Sequence, residues 1–256
     1  MPELEIEQIP CLADNYAVLI HDRKANVTAS IDAPDSEAIL RRLEAKNWRL
    51  THLFNTHHHG DHTGGNLVLK EATGCQIVGP RGEADRIPGI DIAVGDGDKF
   101  QFGSFEVRVL ETPGHTVGHI TYWIPDARVA FVGDTLFAMG AGRVFEGNAE
   151  IMWNSLKKLM ELPGDTELYC GHEYTASNAR FALTIDPDNA ALKTRTAEVE
   201  KLRADGIPTL PTRLDRELQT NPFLRADAPE IRERLGMQFA PAWKVFAEIR
   251  ERKNKA

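Results

Sequence analysis

Residues 56–62 read Thr-His-His-His-Gly-Asp-His, so His57, His59, Asp61 and His62 form an H-x-H-x-D-H cluster. The chain carries 9 histidines in 256 residues, and four of them lie in this one stretch. Imidazole and carboxylate donors at such spacing are the chemistry of metal ligation. If the segment leaves a strand extended, His57 and His59 point to one side and can converge on a single ion. Asp61 and His62 are adjacent and diverge from each other. A turn at Gly60 would aim this second pair at a separate point, which implies two ions rather than one.

Three further places share a style, a polar residue set among glycines after a β-rich run. They are Glu111-Thr-Pro-Gly-His115-Thr-Val-Gly-His119, Val129-Ala-Phe-Val-Gly-Asp134-Thr and Glu167-Leu-Tyr-Cys-Gly-His172-Glu. Each alone reads as an ordinary loop. Together they complete a ligand count: His57, His59 and His115 for one ion, and Asp61, His62 and His172 for the other. Asp134, with two oxygens, can bridge both and leave a shared water or hydroxide to fill each shell. That arrangement is open and catalytic. Cys11, Cys75 and Cys170 show no C-x-x-C spacing and do not build a closed structural zinc site. His58 should point away from the ions, His119 fits a supporting or a structural role, and His21 and His52 read as structural. Cys170 reads as a small buried residue packed behind the site rather than as a nucleophile.

The elements that must hold these residues divide in two. Short β-type runs at Leu4–Ile9, Tyr16–His21, Val27–Asp32, His52–Asn55 and Phe105–Leu110 alternate with helical segments at Ser36–Lys46, Gly65–Thr73 and Asn148–Leu162. In the last of these Asn148 is the N-cap, and Ile151, Met152, Leu156 and Leu159 recur at helical spacing. Beyond Tyr174 the strand signals stop. Residues 189–204, 226–235 and 241–252 read as helices separated by Gly206-Ile-Pro208 and Asn221-Pro222. Strands first and helices last predict an α+β core with a helical C-terminal domain. A net charge of −8 argues against broad nucleic-acid or anionic-membrane binding. No apolar run has bilayer length, the start Met-Pro-Glu-Leu-Glu-Ile-Glu is acidic, and the cysteines are few and odd in number. The expectation is therefore a cytoplasmic protein with no membrane or nucleic-acid partner.

The ligand cluster, with His115, Asp134 and His172 in that order, resembles the metallo-β-lactamase superfamily. The match extends towards the glyoxalase II, or hydroxyacylglutathione hydrolase, family. It is carried by Asp14-Asn15-Tyr16, Thr56–His62, Pro113–His119, Gly133-Asp134-Thr135, Gly142-Arg-Val-Phe-Glu-Gly147, Cys170-Gly-His-Glu-Tyr-Thr175, Asn221-Pro-Phe-Leu-Arg225 and Arg250-x-x-Lys253. These stretches span almost the whole chain. The resemblance implies an αβ/βα sandwich, with a catalytic domain over 1–173 and a helical substrate-binding domain over 174–256. It implies two divalent ions, zinc first and iron or manganese otherwise. It also implies hydrolysis of S-D-lactoylglutathione to D-lactate and glutathione by a hydroxide held between them, the second step of methylglyoxal detoxification. Asp61 and Asp134 would be catalytic, Asp134 by bridging and Asp61 by orienting the hydroxide. A leaving thiolate of pKa near ~8.5 departs without a dedicated acid, which suits a thioester.

The same resemblance points to Arg143, Tyr174, Arg250 and Lys253 as substrate contacts, in a monomer whose partner is a small glutathione thioester. Arg250 and Lys253 lie three apart, on one helix face. Charge by itself is more commonly that of a solvated helix end, and Tyr174 could equally be a core aromatic. Phe145 stands where some members have tyrosine, and Arg143 where some have lysine. The alternatives are a persulfide dioxygenase with one iron, another hydrolase of the superfamily such as a lactonase, and a non-catalytic relative. The last would usually have lost ligands, and here all seven positions are filled.

Overall fold

The computed structural model describes residues 4–256; of the acidic start, Met1-Pro2-Glu3 lies outside the described residues. The chain divides into two compact units, one running up to Glu111 and resuming at Thr116–Gly133, the other comprising Thr112–His115 and Asp134–Ala256.

The first unit opens with strands β1 (Leu4–Cys11), β2 (Asn15–Asp22) and β3 (Val27–Ile31), followed by helix α1 (Ser36–Lys46) and β4 (Leu50–Phe54). Next come α2 (Gly60–Thr63), α3 (Asn66–Thr73), β5 (Gln76–Pro80), β6 (Ile92–Val94), β7 (Lys99–Phe102), β8 (Phe105–Glu111), β9 (Ile120–Ile124) and β10 (Val129–Gly133). Strands β1 to β6 form a sheet in chain order, antiparallel from β1 to β3 and parallel from β3 to β6. Helices cross between the parallel strands, as parallel pairing requires. Strands β7 to β10 pair antiparallel as successive neighbours.

Helix α1 starts where Asp35 accepts the Ala38 amide at 3.0 Å and stops at Asn47, which takes the left-handed conformation. Its apolar residues Ile39 and Leu43 join Leu19, Leu50, Leu53 and Ile77 in a buried cluster. The parallel strands β3, β4 and β5 all run the same way. The segments just past their carboxyl ends therefore lie side by side, the usual place for a binding crevice in an α/β sheet. Asp32, the His57–His62 loop and Glu83 come from those three ends.

The second unit holds the short hairpin β11 (Leu136–Phe137) and β12 (Gly140–Ala141), whose strands pair with each other, then α4 (Ala149–Met160), β13 (Glu167–Cys170), α5 (Thr175–Ile185) and α6 (Ala190–Ala204). It ends with β14 (Thr212–Arg213), α7 (Leu214–Thr220), α8 (Pro229–Leu235) and α9 (Ala242–Asn254). Asn148 caps α4 by accepting the Ile151 amide at 2.9 Å, as its position predicts. Ile151 itself stays partly in water, while Met152, Trp153, Leu156 and Leu159 are buried. Helices α5 and α7 have no counterpart in the sequence pattern, and two further features depart from it. Thr212–Arg213 forms a two-residue strand with β13 beyond the last strand signal, and α8 begins at Pro229 rather than at 226. Proline is favoured in the first helical turn and disfavours helix in the residue before it.

Candidate metal centre

In the first unit the loop after β4 carries His57, His59, Asp61 and His62. His57 is completely buried and His62 nearly so. Each buried ring is oriented by a bond to its Nδ1. The His62 Nδ1 lies 2.8 Å from Asp32 Oδ2, so the carboxylate holds the Nδ1–H and turns the Nε2 lone pair away from itself. The Thr56 hydroxyl donates to the same Asp32 oxygen at 2.8 Å, which leaves its own lone pair to accept the His57 Nδ1–H at 3.0 Å. The Nε2 of His57 is thereby presented to His59 Nδ1 at 3.1 Å. The His62 Nε2 lies 3.7 Å from Asp61 Oδ2, and Asn15 donates to that same oxygen at 3.0 Å.

These separations test whether the set suits an ion. Four-coordinate zinc at ~2.0–2.2 Å from each donor puts neighbouring donors about 3.3–3.5 Å apart. The observed 3.1 and 3.7 Å bracket that value. Asp32 also lies near His57 and His62 and could be taken for a ligand. Its oxygens accept the Thr56 amide and hydroxyl and the His62 ring, and those bonds make it a support standing behind the ligands.

In the second unit Asp134 Oδ2 lies 3.5 Å from His115 Nε2 and 3.3 Å from His172 Nε2, again the spacing of donors around an ion. The His115 Nδ1–H is held by the Arg143 carbonyl at 2.9 Å, which fixes the tautomer that leaves Nε2 as a donor. All three side chains are buried. The described residues thus contain two clustered groups of metal-ligating side chains, all nitrogen or oxygen donors, which suits zinc, iron or manganese and selects none of them.

The remaining histidines are placed by their partners. His58 turns its Nδ1 to Glu83 Oε2 at 2.7 Å and contacts Arg86 with its other nitrogen. Glu83 is buried and accepts the His58 amide at 2.9 Å and the Gly118 amide at 2.7 Å, tying the ligand loop to the segment before β9. His119 stacks on His57 with centroids 4.9 Å apart. His21 bonds Thr28 and stacks on Trp48, and His52 packs edge-on against Phe102. Cys170 is buried, and burial, with Glu217 nearby, pushes its thiol well up, which suits packing and not attack.

The four substrate-contact residues implied by the sequence all lie in the second unit. Tyr174 stacks on His172 with centroids 4.7 Å apart and planes 5° from parallel, and Arg143 is exposed. Arg250 is buried, donates to the Ala141 carbonyl at 2.7 Å and lies over the Phe223 ring. Lys253 donates to the Ser177 carbonyl at 3.2 Å and hydroxyl at 3.0 Å. Burial, with Arg143 close by, lowers the Arg250 pKa to about 10. Lys253 is lowered by burial and by Arg250, Arg180 and Arg143. Among the described residues none of the cations Arg143, Arg180, Arg250 and Lys253 forms an ion pair with a carboxylate. Clustered cations that repel one another without an acid between them are the electrostatics of an anion site.

Asp32, Glu83 and Arg180 escaped the sequence reading. Asp32 closes a strand run and its φ of 56° is unusual for a residue other than glycine, but neither property is visible without the backbone.

Family models match the chain over 25–172, as the metallo-beta-lactamase superfamily, and over 173–256, as the hydroxyacylglutathione hydrolase C-terminus. A hydroxyacylglutathione hydrolase of Methylococcus capsulatus is 55% identical over 98% of both chains. One from Brucella anthropi is 58% identical over 99% of this chain and 97% of its own. Among solved structures, ETHE1 from Myxococcus xanthus superposes with a TM-score of 0.67 at 26% identity, over 96% of each chain. A metallo-beta-lactamase from Staphylococcus aureus gives 0.68 at 22% identity over 98% of this chain and 71% of its own. The fold is the αβ/βα metallo-β-lactamase sandwich with an additional helical region.

Proposed function

Because this chain belongs to the hydroxyacylglutathione hydrolase family of the metallo-β-lactamase superfamily, we propose that it hydrolyses S-D-lactoylglutathione to D-lactate and glutathione. His57, His59, His115 and Asp134 hold one divalent ion in this reading, and Asp61, His62, His172 and Asp134 hold the other, with zinc the first choice. When bound, the two ions supply a hydroxide at neutral pH and polarise the carbonyl it attacks. The observation that carries the reading is the orientation of the buried rings. His57, His62 and His115 each have Nδ1 engaged from behind, so that Nε2 is the donor that remains.

The protein's own groups do the rest. Asp61, steadied by Asn15, accepts a hydrogen bond from the attacking oxygen and orients it. Arg143, Arg250 and Lys253 take the glutathione carboxylates, and the Tyr174 hydroxyl adds a donor. No side-chain acid is required, since a thiolate leaves unprotonated more readily than an amine does. Residues 1–173 serve as the catalytic domain and 174–256 as the substrate-binding domain, a division supported to within one residue by the two family models, which meet between residues 172 and 173. Among the described residues no helix is long and apolar enough to cross a membrane. The reading is of a cytoplasmic monomer acting on a small anionic thioester.

Purified protein mixed with S-D-lactoylglutathione should consume the thioester and release free thiol in equal amount, and elemental analysis should give two ions per chain. A stable thioester, or one iron per chain with no thiol released, would sink the proposal.

A further inference from the structure

The hairpin β11–β12 lies in the chain between Asp134 and Arg143, and among the described residues its two strands pair only with each other. Five consecutive residues of it are gripped through their main chain by side chains from the helices of the same unit. Asn221, which ends α7, donates to the Phe137 carbonyl at 3.2 Å and to the Gly140 carbonyl at 2.9 Å. Asn178 of α5 donates to the Ala138 carbonyl at 3.1 Å. Glu217 of α7 accepts the Met139 amide at 2.8 Å, and Arg250 of α9 donates to the Ala141 carbonyl.

The anchor of this grip is costly. Glu217 and Asn221 are fully buried, and Glu217 pairs with Arg195, itself only 3% exposed. Thr212 donates to Glu217 at 2.7 Å, and Asn221 donates to its other oxygen at 3.0 Å. A buried ion pair contributes little net stability, and a well-packed apolar pair often serves as well. An apolar pair, however, cannot read main-chain amides and carbonyls. The backbone it holds is one that would not hold itself. Met139 has a φ of 53°, a strained value for a side-chain-bearing residue that persists only when neighbours enforce it. A side chain at Gly140 would collide with Asn178, and one at Gly142 with the Asp134 carbonyl.

The hairpin touches the centre at its start. Asp134 is two residues from its start. Phe137 packs edge-on against His172, with centroids 6.0 Å apart, and against Tyr174, at 5.2 Å. We propose that Glu217 and Asn221 are positioning residues for the reaction. They fix the hairpin so that Asp134 keeps its place against His115 and His172, and so that Phe137 backs His172 and Tyr174. The inference rests on the assignment of Asp134 and His172 as ligands.

The test uses the metal-loaded, full-length protein carrying Asn221→Ala or Glu217→Gln. Kinetics on S-D-lactoylglutathione are read beside the rate at which a chelator strips the metal and beside the circular dichroism of each variant. Loss of a group that orients a ligand typically costs about 10–100-fold in activity or metal affinity. A folded variant should lose about that much kcat with KM changed far less, and should release metal at least about ten-fold faster. Wild-type kcat and wild-type metal release in a folded variant would overturn the proposal. Should both variants fail to fold, hydrogen exchange in the wild-type protein decides. The peptide covering residues 136–142 should exchange as slowly as the core strands, and exchange at the rate of exposed loops would overturn the grip. If the wild-type protein left the thioester intact, the reading of the reaction would fail alone, because metal release and exchange still report on the hairpin.

Discussion

At the scale of single residues, the clustered metal-ligating side chains depend on groups that stand behind them. Asp32 has no role in a ligand count, yet three of the bonds that orient Thr56 and His62 end on its two oxygens. Asp32→Asn keeps the shape, but its Nδ2 cannot accept a hydrogen bond. The variant should bind metal about 10–100-fold more weakly, as chelator competition would measure, while its circular dichroism stays that of the wild type. An unchanged chelator midpoint would refute the supporting role. The cations allow a second prediction, with its sign fixed by the direction of the shift. Lys253 has its pKa lowered by burial and by Arg250, Arg180 and Arg143, so it loses its charge at a lower pH than an ordinary lysine, while the guanidinium groups stay charged. Affinity for glutathione, an anion, should therefore fall as pH rises into the alkaline range. A calorimetric titration would follow it, and Arg250→Ala with Lys253→Ala should weaken binding at neutral pH and flatten the high-pH fall.

The two clusters of metal-ligating side chains were legible in the sequence because imidazoles and carboxylates at short spacing have few other uses. Asp32, Glu83 and Glu217 were not, because a buried acid is recognised only by what donates to it, and the main-chain amides that do so lie 24 to 78 residues away.

At the scale of elements, caps and turns carried the strongest sequence signals. Helices α1 and α4 begin next to Asp35 and Asn148, where a side chain satisfies an otherwise unbonded amide. Helix α5 was missed for the opposite reason. Its Thr-Ala-Ser-Asn opening is poor in helix formers, the N-cap residue Tyr174 makes no side-chain cap bond, and burial of Ala179, Phe181, Ala182 and Ile185 holds it instead. The turn between β2 and β3 supplies a stability prediction. Asp22 Oδ1 accepts the Lys24 amide at 2.8 Å and Oδ2 the Ser104 amide at 2.6 Å. Burial works to raise the Asp22 pKa, but the amides of Ser104, Lys24 and Ala25 outweigh it and the net shift is downward. The native state thus favours the carboxylate, a stabilisation present above the ordinary carboxylate range and lost as acid protonates the folded form. Asp22→Asn should lose about 1–3 kcal/mol at pH 7 by urea unfolding. The gap to wild type should close as pH drops below ~4. A gap independent of pH would mean that the charge is not what matters.

For the whole molecule, metal and stability are one equilibrium. Ions bound only by the folded chain stabilise it by about 2.7 kcal/mol when present at 100 times their dissociation constant. A chelator should accordingly lower Tm by several degrees, and returning zinc should restore both Tm and hydrolysis. Recovery of Tm without hydrolysis would point to ions bound elsewhere. The acidic balance of −8 adds another constraint, because an anionic substrate must be drawn in by local charge against the mean field. In the proposed reading the cluster of Arg143, Arg180, Arg250 and Lys253 provides that charge.

The three cysteines are free, and all are buried. Burial also raises the Cys11 thiol to about 11. A catalyst that liberates a thiol at every turnover works in a pool of potential exchange partners, and any accessible thiolate of its own would be open to mixed-disulfide capture whenever that pool became oxidised. This chain offers no such thiolate at its surface. Its output should therefore hold steady through an oxidative swing, the condition under which the thiol it returns is most in demand.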